Sequence, residues 1–131
     1  MKKKLFAMFV CAALVGAFSL SSLWAMDAPK DMELKVPDGA TATKAPVKFS
    51  HEKHKANECK TCHHKLDADP KAYKCSNKGC HDDLADKASE KSYYKAFHDM
   101  NSPNSCLGCH KKAKAEGKNP PMGCPVCHPA S

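Results

Sequence analysis

Two short segments in the first half of the chain alternate between apolar and polar side chains. Residues 32–36 (MELKV) and residues 46–50 (PVKFS) place apolar side chains at alternate positions, which is the pattern of a half-buried β-strand. Pro37, Asp38 and Gly39 follow the first segment, and residues of these types favour turns. The pattern therefore predicts a small N-terminal β-hairpin.

Two later segments have the spacing of α-helices. Within residues 89–98 (SEKSYYKAFH), Ser89 and Glu90 are helix-start signals and the aromatic side chains recur at helical spacing, so we expect a helix that ends before Pro103. A second helix is expected over residues 105–116, because a glycine and a Pro-Pro pair follow it. Pro, Gly, Asn and Lys dominate elsewhere. The predicted fold class is mainly α, with extensive coil and the small hairpin.

The beginning of the chain has the composition of a secretory signal peptide. Lysines at positions 2–4 precede an apolar run over residues 5–20, and residues 23–25 (LWA) provide a cleavage site. At about 16 residues, the run is shorter than the roughly 20 that span a bilayer, so we expect no transmembrane anchor in the mature chain. The predicted organisation is a cleaved signal peptide over residues 1–25 and one domain over residues 26–131, outside the cytoplasm.

The mature chain lacks the apolar side chains of an ordinary core. From Met26 onward, large aliphatic residues and phenylalanine make up under a tenth of the chain, and isoleucine is absent. Disorder is the usual outcome when such residues fall below roughly 20%. Either this chain is unfolded or something other than side chains fills its interior.

Every cysteine after residue 25 belongs to a pair that is followed directly by a histidine. Three pairs have the form C-x-x-C-H, and the second pair has two extra residues between its cysteines. Two thiols on a short loop add to the vinyl groups of a haem, and the adjoining imidazole then binds the iron. A disulfide framework would not require the histidines. The pattern predicts four covalently bound haem c groups, attached through Cys59, Cys62, Cys75, Cys80, Cys106, Cys109, Cys124 and Cys127.

The number of histidines equals the number of axial positions on four haem irons. Four histidines follow the cysteine pairs and four lie elsewhere. Each of the latter, taken singly, would more often be a solvent-facing residue, but four open iron positions make them candidate distal ligands. Met100 and Met122 are possible sulfur ligands, and we interpret them as packing residues because enough imidazole is present. The candidate metal ligands are His51, His54, His63, His64, His81, His98, His110 and His128.

His64 cannot bind the same iron as His63. Axial ligands approach from opposite faces of a haem, whereas neighbouring Cα atoms are only about 3.8 Å apart. The two irons would then lie at most roughly 20 Å apart. His51 and His54, one helical turn apart, are expected to bring two further haems together in the same way. We predict that the haems replace the missing core and that a chain without them is unfolded.

All basic side chains are lysines. Three of the 21 lie in the predicted signal peptide, which leaves 18 lysines against 14 acidic residues. Nucleic-acid readers favour arginine, so we expect no nucleic-acid partner and favour an acidic protein surface instead. A solvated face explains the same residues. The candidate docking surface, here called the lysine patch, consists of Lys91, Lys95, Lys111, Lys112, Lys114 and Lys118.

The motifs, in this order, resemble the tetrahaem cytochrome c3 family, the class III c-type cytochromes. The resemblance extends from PVKFSHEKH through CKTCHH, CSNKGCHDD, SYYKAFH and SCLGCH to the terminal CPVCH. It implies a compact multihaem cytochrome fold of short helices and a small hairpin, built around four c-type haems. The axial pairs that it implies are His51 with His63, His64 with His81, His54 with His110, and His98 with His128.

The resemblance also implies a function. Members of the family work in the periplasm of anaerobic, typically sulfate-reducing bacteria, and exchange electrons with periplasmic hydrogenase, membrane-associated redox complexes or other cytochromes. Two imidazoles per iron leave no open coordination position, so we expect a monomeric low-potential electron carrier and not an enzyme. Proton uptake coupled to reduction is a further hypothesis. Two alternatives are a multihaem reductase, which needs a labile iron position, and a colourless zinc or disulfide scaffold.

Overall fold

The computed structural model describes residues 28–130; the predicted signal peptide lies outside this range. Strand β1 (Asp31–Leu34) pairs antiparallel with strand β2 (Val47–Ser50), and Met32 lies opposite Phe49. The apolar side chains of the two strands therefore lie on the same face of the sheet. This confirms the predicted pair of strands, each shorter than expected. The connection between them spans residues 35–46 and includes the turn-favouring residues 37–39.

Short helices follow the sheet. The long predicted helix is present as Cys106–Ala115, whereas the expected helix over residues 89–98 begins only at Tyr93. The prediction was wrong at this end because residues 91–93 bond to Asp83 instead of continuing a helix: Asp83 N–H donates to Lys91 O, and Tyr93 N–H donates to Asp83 O. The helices described are α1 (His51–His54), α2 (Cys59–Cys62), α3 (Tyr93–His98), α4 (Cys106–Ala115) and α5 (Cys124–Cys127).

A tight turn joins α3 to α4. Ser105 caps α4 by accepting a hydrogen bond from Gly108 N–H at 3.0 Å, and its hydroxyl donates to the carbonyls of Asp99 and Ser102. Gly108 packs directly against this turn: a Cβ there would lie 2.0 Å from Ser102 O. The close approach fixes the start of α4, which carries a cysteine pair and its histidine.

Apolar side chains form no core in the part of the chain that the structure describes. None of the hydrophobic residues there is buried, while Ser92 is 0% and Ser105 2% exposed. Val126 is 60% exposed. The shortage of core residues inferred from the sequence is therefore present in the fold. Between residues 28 and 130, the helices are too short or too polar to cross a membrane.

Candidate haem-binding site

Eight histidine rings face one another in four pairs. The pairs share a narrow range of separations between ring centres, 6.1–6.4 Å. The structure brings together the same partners that the family resemblance implied. They are His51 and His63 at 6.4 Å, His54 and His110 at 6.2 Å, His64 and His81 at 6.1 Å, and His98 and His128 at 6.2 Å.

This separation fits two imidazoles on opposite sides of one metal ion. An imidazole nitrogen lies about 2 Å from a bound metal and about 1.1 Å from the centre of its own ring, so two trans ligands have ring centres about 6.2 Å apart. Direct ring stacking would bring the centres closer, as Tyr94 and His98 do at 4.1 Å. The spacing of the histidine pairs would therefore accommodate one haem iron between the two rings of each pair.

Neighbouring histidines face different partners. His63 and His64 follow α2 directly, yet the first ring faces His51 and the second faces His81. In α1, His51 and His54 likewise face separate partners. Each of these two short segments therefore joins two sites. A single turn of backbone is enough to hold two sites at a short distance.

Most of the rings are oriented by a backbone carbonyl. In five of them the distance from Nδ1 to the oxygen is 2.7–2.8 Å, and His63 makes a hydrogen bond with the backbone of Tyr73. A ring that donates through Nδ1 keeps the lone pair on Nε2 for a metal. The acceptors are Pro29 O for His51, Ser50 O for His54, Tyr94 O for His98, Pro121 O for His110 and Ala45 O for His128.

The cysteines lie where one turn of backbone presents both thiols and the histidine together. His63 N–H donates to Cys59 O at 2.9 Å, as His128 N–H does to Cys124 O at 2.8 Å. In the longer second motif, His81 N–H still donates to Cys75 O at 2.9 Å. The loop of the second motif therefore accommodates its two extra residues, and its histidine makes the same backbone hydrogen bond to the first cysteine as in the shorter motifs.

The cysteines and histidines have the donor set of a c-type haem. Within residues 28–130, no disulfide joins any of the eight cysteines. Among residues 28–130 there is also no group of three or more histidine, cysteine or acidic side chains arranged to hold a bare metal ion. Paired imidazoles beside paired thiols are the donor set of a c-type haem with two axial histidines.

Comparison with known proteins agrees with this donor set. The model of the class III cytochrome c family matches residues 27–128. The chain belongs to this family. Class III cytochromes c carry covalently bound haems on cysteine pairs of this kind, so the chain is a multihaem electron carrier with four covalently bound c-type haems.

Individual members of the family resemble the chain over most of its length. Cytochrome c3 of Maridesulfovibrio salexigens is 49% identical over 106 residues, which cover 79% of this chain and 97% of the relative. Cytochrome c3 of Desulfovibrio desulfuricans is 47% identical, with 79% and 98% covered. The crystal structure of di-tetraheme cytochrome c3 from Desulfovibrio gigas matches with a TM-score of 0.70 at 37% identity, covering 80% of this chain and 100% of that one.

Aromatic side chains that sequence reasoning did not select pack against the histidines of this cytochrome. Phe49 in β2 stacks on His54 with ring centres 4.7 Å apart and meets His51 edge-on at 4.9 Å. Tyr94 stacks on His98 with an interplanar angle of 6°. The strand pattern assigned Phe49 to a half-buried face, but only the fold shows that this face covers two of the histidines.

Partial desolvation favours the uncharged form of three predicted haem-binding groups. Desolvation lowers the pKa of His63, with a smaller effect from His51, and it also lowers the pKa of His64, with a smaller effect from Lys65. Neutral imidazole is the form that binds a metal. Desolvation also raises the pKa of Cys106 to about 11. Before haem attachment, this thiol is therefore protonated at neutral pH.

The lysine patch is not uniformly basic. Lys112 and Lys114 are exposed on α4, but Lys118 Nζ lies 3.1 Å from Glu116 Oε2. Lys112 also interacts electrostatically with this carboxylate. Glu116 therefore offsets part of the positive charge of the patch. Met100, considered above as a sulfur ligand, is 40% exposed.

Proposed function

We infer that this class III cytochrome c is an exported, low-potential electron carrier whose haems each have two histidine ligands. The supporting observation is the set of four imidazole pairs at 6.1–6.4 Å. In this proposal the eight cysteines of the four motifs form the thioether links. The paired histidines are the axial ligands, and the signal peptide over residues 1–25 directs the chain to the periplasm.

The haems supply one-electron redox chemistry between ferric and ferrous iron. With one histidine pair binding each haem iron, no coordination position would be left for a substrate, which favours outer-sphere electron transfer over catalysis. Histidine in place of a methionine thioether lowers the potential. Hydrogen bonds from Nδ1 to backbone carbonyls make the imidazoles more basic and stabilise the ferric state further. Low potential therefore follows from the ligands and from their backbone partners together.

The spacing of the histidines favours rapid exchange between sites. His63 and His64 are adjacent, and His51 and His54 are one turn apart, so each segment holds two irons close together. Phe49 packs on both histidines of α1. Four closely spaced sites suit a two-electron donor, and the partners that we propose are periplasmic hydrogenase and membrane-associated redox complexes.

The lysine patch is the proposed docking surface for an acidic partner. Lys112 and Lys114 lie on α4, the helix that begins with the third cysteine pair, so a partner bound there would be close to a haem. Positive potential at such a surface raises the association rate at low ionic strength.

Proton uptake coupled to reduction is a further part of the proposal; potentials that do not change between about pH 6 and 8 would contradict it.

The ligand assignment can be tested by spectroscopy of the purified, exported protein. We expect four haems per chain in a pyridine haemochrome assay and low-spin ferric spectra without carbon monoxide binding. His51→Ala should create one high-spin iron that binds carbon monoxide. Met100→Leu is the matched control and should leave all four centres unchanged. Fewer than four haems, or a five-coordinate iron in the resting wild type, would refute the assignment and favour a multihaem reductase.

A further inference from the structure

One histidine pair differs from the other three in two independent features. The rings of His64 and His81 cross at 58°, whereas the other pairs have interplanar angles of 7–15°. In addition, Nδ1 of His81 is buried and has no hydrogen-bond partner within residues 28–130. The structure shows no hydrogen bond from the exposed ring of His64 to the same part of the chain. The two rings without a protein acceptor are thus partners of each other.

A missing acceptor changes the iron that the ring binds. When Nδ1–H donates to a carbonyl, the imidazole becomes more basic and gives more electron density to the metal, which stabilises ferric over ferrous iron. Hydrogen bonding around a haem is one of the means by which a protein sets its potential. The other three pairs have this stabilisation at both rings. The pair of His64 and His81 has it from the protein at neither ring: Nδ1 of His81 is buried without a partner, and the exposed ring of His64 faces solvent.

The surroundings of this pair act in the same direction. The cleft that contains His64, His81 and their cysteine pair is lined by more basic than acidic side chains, and positive charge favours the state that has gained an electron. The charged residues that line it are Lys65, Lys74, Lys95, Glu90 and Asp99.

We propose that His64 and His81 make the haem attached through Cys75 and Cys80 the first of the four to accept an electron. This inference rests on the ligand assignment proposed above. The electron comes from an external one-electron reductant such as dithionite, and the iron passes from ferric to ferrous with both imidazoles retained. Outer-shell hydrogen bonds change metal affinity by 10-fold or more. We therefore expect the ratio of reduced to oxidised iron at this haem to exceed the mean of the others by about tenfold.

The crossed rings provide the means of observing this haem separately. Ferric low-spin iron with crossed imidazole planes has a larger g-anisotropy than iron with near-parallel planes. In an EPR-monitored potentiometric titration of the holoprotein, the component with the largest g value should therefore disappear first. Its disappearance together with the other components, or after them, would overturn the inference.

Two variants assign the component. His64→Met should remove the component with the largest g value, whereas His54→Met, in a pair with rings only 7° apart, should remove a different one. If either variant lacks haem, the order of reduction is measured instead by two-dimensional exchange NMR of the partly reduced wild type. The haem methyls are then assigned through contacts with Ala72 and Cys80, which line this cleft. A different first site among four low-spin haems overturns only this inference, whereas missing or high-spin haems overturn the ligand assignment.

Discussion

The substitution Gly108→Ala should change stability through two opposing effects, a gain in helix propensity and a loss of close packing. Gly108 lies inside α4, so alanine should stabilise the helix by about 1 kcal/mol on propensity alone. The structure predicts the opposite. A Cβ at this position would lie 2.0 Å from Ser102 O and 2.8 Å from Asp99 O. Carbon–oxygen contacts rarely fall below about 3.3 Å, so the turn between α3 and α4 would have to move by roughly 1.3 Å.

The cost of that movement can be assembled from the contacts of the turn. Ser105 would lose its cap on Gly108 N–H, which contributes about 1 kcal/mol. Its hydrogen bond to Asp99 O contributes a further ~1 kcal/mol. Distortion of the packing adds about 1–3 kcal/mol. These costs total about 3–5 kcal/mol, and subtracting the gain of about 1 kcal/mol in helix propensity leaves an expected net loss of about 2–4 kcal/mol, a large part of the 5–15 kcal/mol that is typical of a domain.

Guanidinium unfolding, followed by circular dichroism and haem absorption, measures this loss. Val126→Ala is the matched control because Val126 occupies the same place in the fourth motif and is 60% exposed; we expect a change below about 0.5 kcal/mol. Ser105→Ala should be intermediate, and it supplies a measurement if Gly108→Ala fails to mature. A Gly108→Ala protein as stable as the wild type, or more stable, would refute the packing argument.

Three further predictions concern haem, capping and docking. Blocking haem attachment should leave an unfolded polypeptide, and dispersed amide NMR resonances in the haem-free chain would contradict this. Ser92→Ala should cost about 1 kcal/mol in denaturant unfolding, because Ser92 caps α3 by accepting from Lys95 N–H; an unchanged midpoint would contradict it. Glu116→Gln should speed association with an acidic partner in stopped-flow measurements at low salt, whereas Lys112→Glu should slow it. A hydrogen bond from Lys118 lowers the pKa of Glu116, so the Gln variant should match the wild type only once pH falls below that lowered pKa; equal rates at pH 7 would refute the role of the patch.

The sequence predicted the elements whose pattern is local. Alternating side chains located β1 and β2, and the glycine and prolines that terminate it located α4. The cysteine pairs with their histidines indicated haem. The four histidine partners came only through the family resemblance, because spacing alone left the pairings open.

Other features could not be predicted because backbone groups determine them. Every non-proline residue carries the same N–H and C=O, so nothing in the sequence marks Ala45 or Pro121 as the acceptor of a particular ring. The late start of α3 depends on Asp83, which lies ten positions before Tyr93. Asp83 makes hydrogen bonds with the backbone groups of residues 91 and 93 that a longer helix would use. The close packing of Gly108 likewise depends on a turn whose path no residue pattern specifies.

The hydrogen bonds of the imidazoles connect folding to redox chemistry in this chain. His128 donates to Ala45 O, 83 positions away, and thereby ties α5 to the connection between the strands; His51 donates to Pro29 O before β1. With no buried hydrophobic residue among those described, such bonds are a substantial part of what joins distant segments. The same bonds set the basicity of the rings as ligands. A change that loosens the segment around Ala45 should therefore raise the potential of the haem that we propose His128 binds as well as lower stability, and the two effects should increase together across a series of variants.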